Sequence, residues 1–107
     1  MTIFYVETYT VKPDKLVENI ERYKKWETWW KNHPEVCKEI KSNKLFSHMV
    51  GGNYGEYVEM TEFENLTDLE RFYSKFMKSD FMATIYPEFL SHLVPGKYST
   101  NIWSSVP

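Results

Sequence analysis

The stretch Ile3 to Asp14, reading Ile-Phe-Tyr-Val-Glu-Thr-Tyr-Thr-Val-Lys-Pro-Asp, limits what this chain can fold into more than any other. Its β-branched and aromatic residues suit a pleated, half-buried surface. Pro13 then removes a ladder donor and presets φ for a first helical turn, so a strand hands over to a helix here. Side chains alternate across a strand, which puts Tyr5, Glu7 and Tyr9 on one face and Phe4, Val6, Thr8 and Thr10 on the other. Glu7 is the polar interruption in this strand that can carry chemistry.

The elements that follow read as layers packed onto that strand. Leu16, Ile20, Tyr23, Trp26 and Trp30 recur near the helical period and predict a helix from about Asp14 to Asn32, with Lys15, Glu18, Glu21, Arg22, Lys25 and Lys31 toward solvent. Glu27 falls inside the stripe, either at its edge or as a pocket carboxylate. Asn32-His33-Pro34 ends the helix, because the residue before a proline is pushed out of the α region. Ile40 to Val50 reads as a second strand, with Ile40, Ser42, Lys44, Phe46, His48 and Val50 on one side. Gly51-Gly52-Asn53 turns it into a third strand, Glu56 to Phe63.

Asn65, or Thr67 with Glu70, caps a second helix whose buried stripe is Leu66, Leu69, Phe72, Tyr73 and Phe76. Ser79 or Asp80 restarts a helical pattern through Phe81, Met82, Ile85, Phe89 and Leu93, in which Pro87 is expected to produce a kink or split. Pro95-Gly96 stops it, and Tyr98 to Ser104 is the last strand. The order β-α-β-β-α-β with an extra helix before the last strand is an α+β, ferredoxin-like arrangement, expected to occupy residues 1–107 as one domain. Right-handed crossovers place both helices on one side of a four-stranded antiparallel sheet and leave the other face open. The apolar end of that face is expected to close on a second copy, making a homodimer.

Composition narrows the function classes. With 107 residues the chain has one core, and its eight Tyr, seven Phe and four Trp exceed what a core this small needs, which favours a flat-walled pocket or a buried interface. A net charge of −2 supplies no field for phosphate backbones or anionic lipid, so neither nucleic acid nor membrane is expected as a partner. No apolar run approaches a bilayer span and no signal-type segment opens the chain, so a cytoplasmic location is expected. Cys37 is the single cysteine and cannot form an internal disulfide.

Glu7-Thr-Tyr-Thr-Val-Lys-Pro-Asp-Lys15 resembles the opening strand of NIPSNAP-type proteins, whose first strand ends in a similar Thr-Tyr-Thr-apolar-Lys-Pro phrase. Met60-Thr-Glu-Phe-Glu-Asn-Leu-Thr-Asp-Leu69 is similar to the strand-to-helix junction of antibiotic-biosynthesis-type monooxygenases. With the matching element order, the resemblance covers nearly the whole chain. It implies the dimeric α+β barrel, in which two sheets pack face to face and each subunit keeps a pocket between sheet and helices.

Some family residues do not carry over. Haem-degrading members have an Asn in strand one, a Trp ending strand three and a His on the second helix, where this chain has Glu7, Phe63 and Phe72. Phe72 has no ligating atom, so haem binding of that kind is not implied. Cyclase-like and quinol-monooxygenase-like relatives carry a His after the second helix, where Asp80 stands.

The candidate catalytic residues are therefore Glu7, His48 and Asp80. Tyr5, Tyr9, Trp30, Tyr57, Glu59, Thr61 and Phe63 are candidates for contacting a small aromatic or apolar ligand, and neither a metal nor a cofactor is expected. Burial among rings would raise the pKa of Glu7 toward a value useful for proton transfer in enolisation, cyclisation or isomerisation. Equally, Glu7 can pair with a cation such as Lys44. His48 is the histidine placed within a strand, facing either pocket or interface, and Asp80 can instead cap a helix. Two other classes stay open: a non-catalytic homodimer whose aromatics fill core and interface, and RNA binding, because Asn53-Tyr-Gly-Glu-Tyr-Val-Glu59 resembles the strand-three motif of RRM domains. Glu56 interrupts that motif, and Glu7, Glu56, Glu59 and Glu62 would repel phosphates.

Overall fold

In the computed structural model, which describes residues 2–107, the chain runs β1 (Ile3–Val11), a 3-10 turn (Pro13–Lys15), α1 (Leu16–Asn32), α2 (Pro34–Cys37), β2 (Ile40–Ser47), β3 (Glu56–Phe63), α3 (Leu66–Phe76), α4 (Asp80–Ser91) and β4 (Leu93–Ser104). The strands form one antiparallel sheet in the order β2-β3-β1-β4, which is the ferredoxin-like order, with α4 as the extra helix. β1 lies in the middle, paired with β3 from Ile3 opposite Phe63 to Thr10 opposite Glu56. Among the described residues no helix is long and apolar enough to cross a membrane.

The alternation in β1 holds. Ile3, Tyr9 and Val11 are buried on the side that carries the helices, where they join Phe63, Leu69, Phe72, Phe81, Phe89 and Leu93 in two adjoining apolar clusters. At about 25 cal/mol per Å² removed from water, each fully buried aromatic or Leu side chain contributes roughly 2 kcal/mol.

Several boundaries and faces differ from the sequence reading. Pro13 starts a 3-10 turn and α1 proper begins at Leu16, not Asp14. The buried side of α1 carries Asn19, Arg22 and Trp26, whereas Ile20 is 37% exposed; of the two readings open for Glu27, the exposed stripe edge is the one found. Arg22 was placed on the wet side; it turns inward because a carboxylate waits there, as described below. A register shift between Ile40 and Ser42 brings Ile40 onto the helix side with Asn43 and Leu45, while Lys44 lies opposite Met60 on the open side. β2 stops at Ser47, so His48 belongs to the exposed loop and not to a strand.

Asn65 is the cap of α3, its side chain accepting from Asp68 N at 2.8 Å. α4 continues through Pro87: both Pro87 and Ala83, whose carbonyl the proline deprives of a donor, are exposed to water. β4 begins at Leu93, five residues before the expected Tyr98. Pro95 and Gly96 do not end the element; they fall in a shift of register between the Tyr98 and Leu93 pairings, with Gly96 at φ +79°. β4 is an edge strand, where a missing proline donor faces solvent.

Candidate functional site

The middle of the sheet carries two carboxylates side by side. Glu7 of β1 lies directly opposite Glu59 of β3, and both point to the helix side of the sheet. Directly opposed strand residues sit about 5 Å apart at Cβ, and like charges there repel. Among the described residues α1 supplies the one nearby cation: Arg22 Nη1 is 3.7 Å from Glu59 Oε1, with both side chains buried. Arg22 Nη2 donates to Tyr9 Oη at 3.1 Å and Asn19 Oδ1 at 3.2 Å, and the guanidinium stacks 4.3 Å above the Phe89 ring. The helix turns a polar stripe inward because Glu59 is there to receive it.

Glu7 is supported differently. Tyr98 of β4 donates to its Oε2, and among the described residues Oε1 accepts no hydrogen bond. Burial, and then the charge of Glu59, push the Glu7 carboxyl up to about 7, against the opposing effects of the Tyr98 hydrogen bond and of Arg22. Burial raises Glu59 as well, opposed by Arg22 and by donation from Asn43. The Tyr98 hydroxyl is held protonated, first by burial and then by the Glu7 charge. Two carboxyls this close are coupled, the charge on either one raising the proton affinity of the other.

A cavity of about 90 Å³ opens beside this pair. Its walls come from three of the four strands and three helices: Tyr5 and Glu7 of β1, Glu59, Thr61 and Phe63 of β3, Arg22 and Trp26 of α1, Phe72, Tyr73 and Phe76 of α3, Phe81, Ile85, Tyr86 and Phe89 of α4, and Tyr98 of β4. The volume suits several waters or a single small ring, well below the roughly 300–1,000 Å³ of pockets for drug-sized ligands. With rings on most sides and a carboxyl that changes charge near neutrality, the site can take up a flat apolar molecule and exchange a proton with it.

Of the candidates named from sequence, Glu7, Tyr5, Glu59, Thr61 and Phe63 meet on this cavity. Tyr9 is fully buried behind it, against Phe89 at 4.9 Å and Tyr57 at 5.9 Å between ring centroids, so Tyr9 and Tyr57 support the wall and do not form it. Trp30 stacks on Trp26 at 5.9 Å between ring centroids and does not line the cavity. His48 lies outside the site: its Nε2 is 2.6 Å from Glu56 Oε1 in the β2–β3 loop, and a Cβ added at Gly52 would collide with its ring. Asp80 also lies outside, as the first residue of α4, which Ser79 caps by accepting from Met82 N. Asp80 accepts from Trp29 Nε1 at 3.3 Å and edges a shallow surface groove between α1 and α4. Lys44, on the open side, is no partner for Glu7.

Sequence reading missed Arg22, Asn43, Tyr86, Phe89 and Tyr98. The spacing of Asn19, Arg22 and Trp26, three and four apart, was the available signal for the first, since it marks one helix face whatever the residue types. Among the described residues no three His, Cys, Asp or Glu side chains cluster as metal ligands.

No family model matches the chain, and no curated protein matches it. Solved structures do. The chain is similar to a NIPSNAP family protein from Agrobacterium tumefaciens (12% identity, covering 99% of this chain and 94% of that one, TM-score 0.75). It is also similar to an antibiotic biosynthesis monooxygenase (13%, 98% and 99%, TM-score 0.73) and to SnoaB, a cofactor-independent oxygenase from Streptomyces nogalater (8%, 99% and 94%, TM-score 0.71). Identities this low establish a shared fold, the one the NIPSNAP and monooxygenase resemblances implied.

Proposed function

We propose that this chain binds a small, single-ring aromatic or apolar molecule between sheet and helices and that Glu7 exchanges a proton with it, as a cofactor-free enzyme of monooxygenase, cyclase or isomerase type. The observation that carries this reading is the Glu7 carboxyl: raised to about 7, it has one oxygen without a hydrogen-bond partner among the described residues and lies on the cavity wall. A base poised near the working pH is the one that moves protons best. In the simplest step a C–H or O–H bond next to a carbonyl breaks, the proton goes to Glu7 Oε1, and the electron pair moves onto the substrate oxygen. Arg22, Tyr5, Tyr73 and Tyr86 line the same space and offer donors that can stabilise that charge. The likeness to SnoaB, a cofactor-independent oxygenase, motivates the cofactor-free form of the reading.

The open sheet face supports a second part of the proposal, a homodimer. Phe46 and Trp103, 46% and 51% exposed, stand on that side together with Phe4, Val58 and Met60. An apolar patch across a sheet face fits a second copy of itself.

Amide chemical shifts recorded while phenol, acetophenone or benzyl alcohol is added test the pocket. The expected result is saturable shifts at Tyr5, Glu7, Trp26 and Phe89 that Ile85→Trp, which fills the cavity, removes. No shifts from any probe, with a dimer persisting, would favour a non-catalytic homodimer whose aromatics only pack.

A further inference from the structure

We propose that Asn43 is the positioning residue of this site: by holding Glu59 as the anion, it assigns the proton shared by the Glu7 and Glu59 pair to Glu7. The inference rests on the reading of Glu7 as the group that exchanges a proton with a ligand.

The geometry around Asn43 leaves its orientation no freedom. Its Oδ1 accepts from Trp26 Nε1 at 2.9 Å and from Tyr23 Oη at 2.6 Å. An indole nitrogen only donates, so the atom facing Trp26 must be the oxygen, and the NH₂ must face the other way. There it donates to Glu59 Oε2 at 3.1 Å and to Thr61 Oγ1 at 2.8 Å, which uses both of its hydrogens. Both faces of the amide are fixed by residues of α1 and β3, and Asn43 itself is held in β2 opposite Thr61.

The consequence falls on the carboxyl pair. Glu59 has Arg22 on one oxygen and Asn43 on the other, and both interactions favour its charged form. Glu7 has a tyrosine hydroxyl on one oxygen and, among the described residues, no hydrogen-bond partner on the other. Around Glu59 stand Glu7 and Tyr9 from β1, Asn43 from β2, and Arg22 and Tyr23 from α1. Around Glu7 stand Glu59 from β3, Arg22 from α1 and Tyr98 from β4, with Tyr5 and Tyr9 on its own strand and Tyr86 of α4 beyond Tyr98. Of these groups only Arg22 is cationic, and Asn43 is the donor that reaches Glu59 alone. Environments that push two carboxyls apart in this way divide acid and base roles between them. Remove the Asn43 donation and proton affinity shifts toward Glu59, so that Glu7, still buried, gives up its proton at lower pH.

Carboxyl ¹³C NMR titration of Glu7 and Glu59 tests this in wild type, Asn43→Asp and Asn43→Ser, with the amide spectrum reporting the fold. The aspartate keeps acceptors for Trp26 and Tyr23 but turns an oxygen toward Glu59. The expected result is that the Glu7 midpoint falls by at least about one pH unit, a tenfold loss of proton affinity, while that of Glu59 rises. In a Glu59→Gln background, Asn43→Ser should leave Glu7 where it is. Wild type offers a readout that needs no folded variant. The Asn43 side-chain amide protons should keep their shifts while Glu7 titrates near neutrality, because Glu59 stays charged. Amide shifts that move in step with the neutral transition, or a Glu7 midpoint unchanged in the variants, overturn the role of Asn43 and leave the Glu7 reading standing. A wild-type Glu7 titrating as an ordinary carboxyl overturns both.

Discussion

Replacing Glu7 with glutamine should stabilise the protein, and by an amount that depends on pH. Glu7 has a folded pKa of about 7 against an ordinary 4.5. Between those values the native state holds a proton that the unfolded chain has lost, so stability falls as pH rises through the interval. The contribution of Glu7 is fully present below 4.5 and lost as pH climbs past 7. A displacement of this size corresponds to about 3 kcal/mol, a large share of the stability of a domain this small. Glutamine keeps an acceptor for Tyr98 and has no proton to lose. Urea unfolding from about pH 4.5 to about pH 8 should show the two proteins equal at the acid end and Glu7→Gln more stable by roughly 3 kcal/mol at the alkaline end. An offset that does not vary with pH, or a glutamine variant less stable at about pH 8, would refute the argument that Glu7 is buried against Glu59 without a cation of its own.

Other outcomes follow from the same geometry. Arg22→Leu removes the one cation from the pair and should cost about 3 kcal/mol in urea unfolding, more as pH rises, because a buried carboxylate then lacks its partner; a neutral effect would mean that Arg22 and Glu59 do not pair. Gly55→Ala should lower thermal stability by about 2 kcal/mol, since φ is +80° and a Cβ would lie 2.7 Å from the Val11 carbonyl oxygen. Light scattering at roughly micromolar concentration should give twice the chain mass for wild type and the single mass for a Phe46→Lys, Trp103→Lys double variant, as burial of an apolar sheet face requires. A wild-type monomer would remove the dimer from the account.

How much of this was legible in the chain depended on whether the signal was local. The two-residue period of β1 put Tyr5 and Glu7 on one face, and the same period in β3 put Glu59, Thr61 and Phe63 opposite them, because alternation is written in consecutive residues. Arg22 shows the limit. Hydrophobic periodicity counts apolar residues, so it assigned Arg22 to water, whereas its inward turn is decided by Glu59, far along the chain. Asn43 carried no signal, since its four partners come from α1 and β3 and a register shift at Ile40 and Ser42 decides which way it points. His48 falls outside β2 because Met49 and Val50 extend the apolar pattern past Ser47, where the loop that leads to the turn glycines has already begun. Pro95-Gly96 read as a stop, but an edge strand tolerates both, and Tyr98 could not be linked to Glu7 until β4 was known to lie beside β1.

¹³C titration of Glu7 in the unmodified protein reads the central carboxyl directly, whatever the ligand or reaction. The result predicted is a midpoint of about 7, with Glu59 still charged at that pH. A Glu7 midpoint in the ordinary carboxylate range, about 4 to 5, would contradict it.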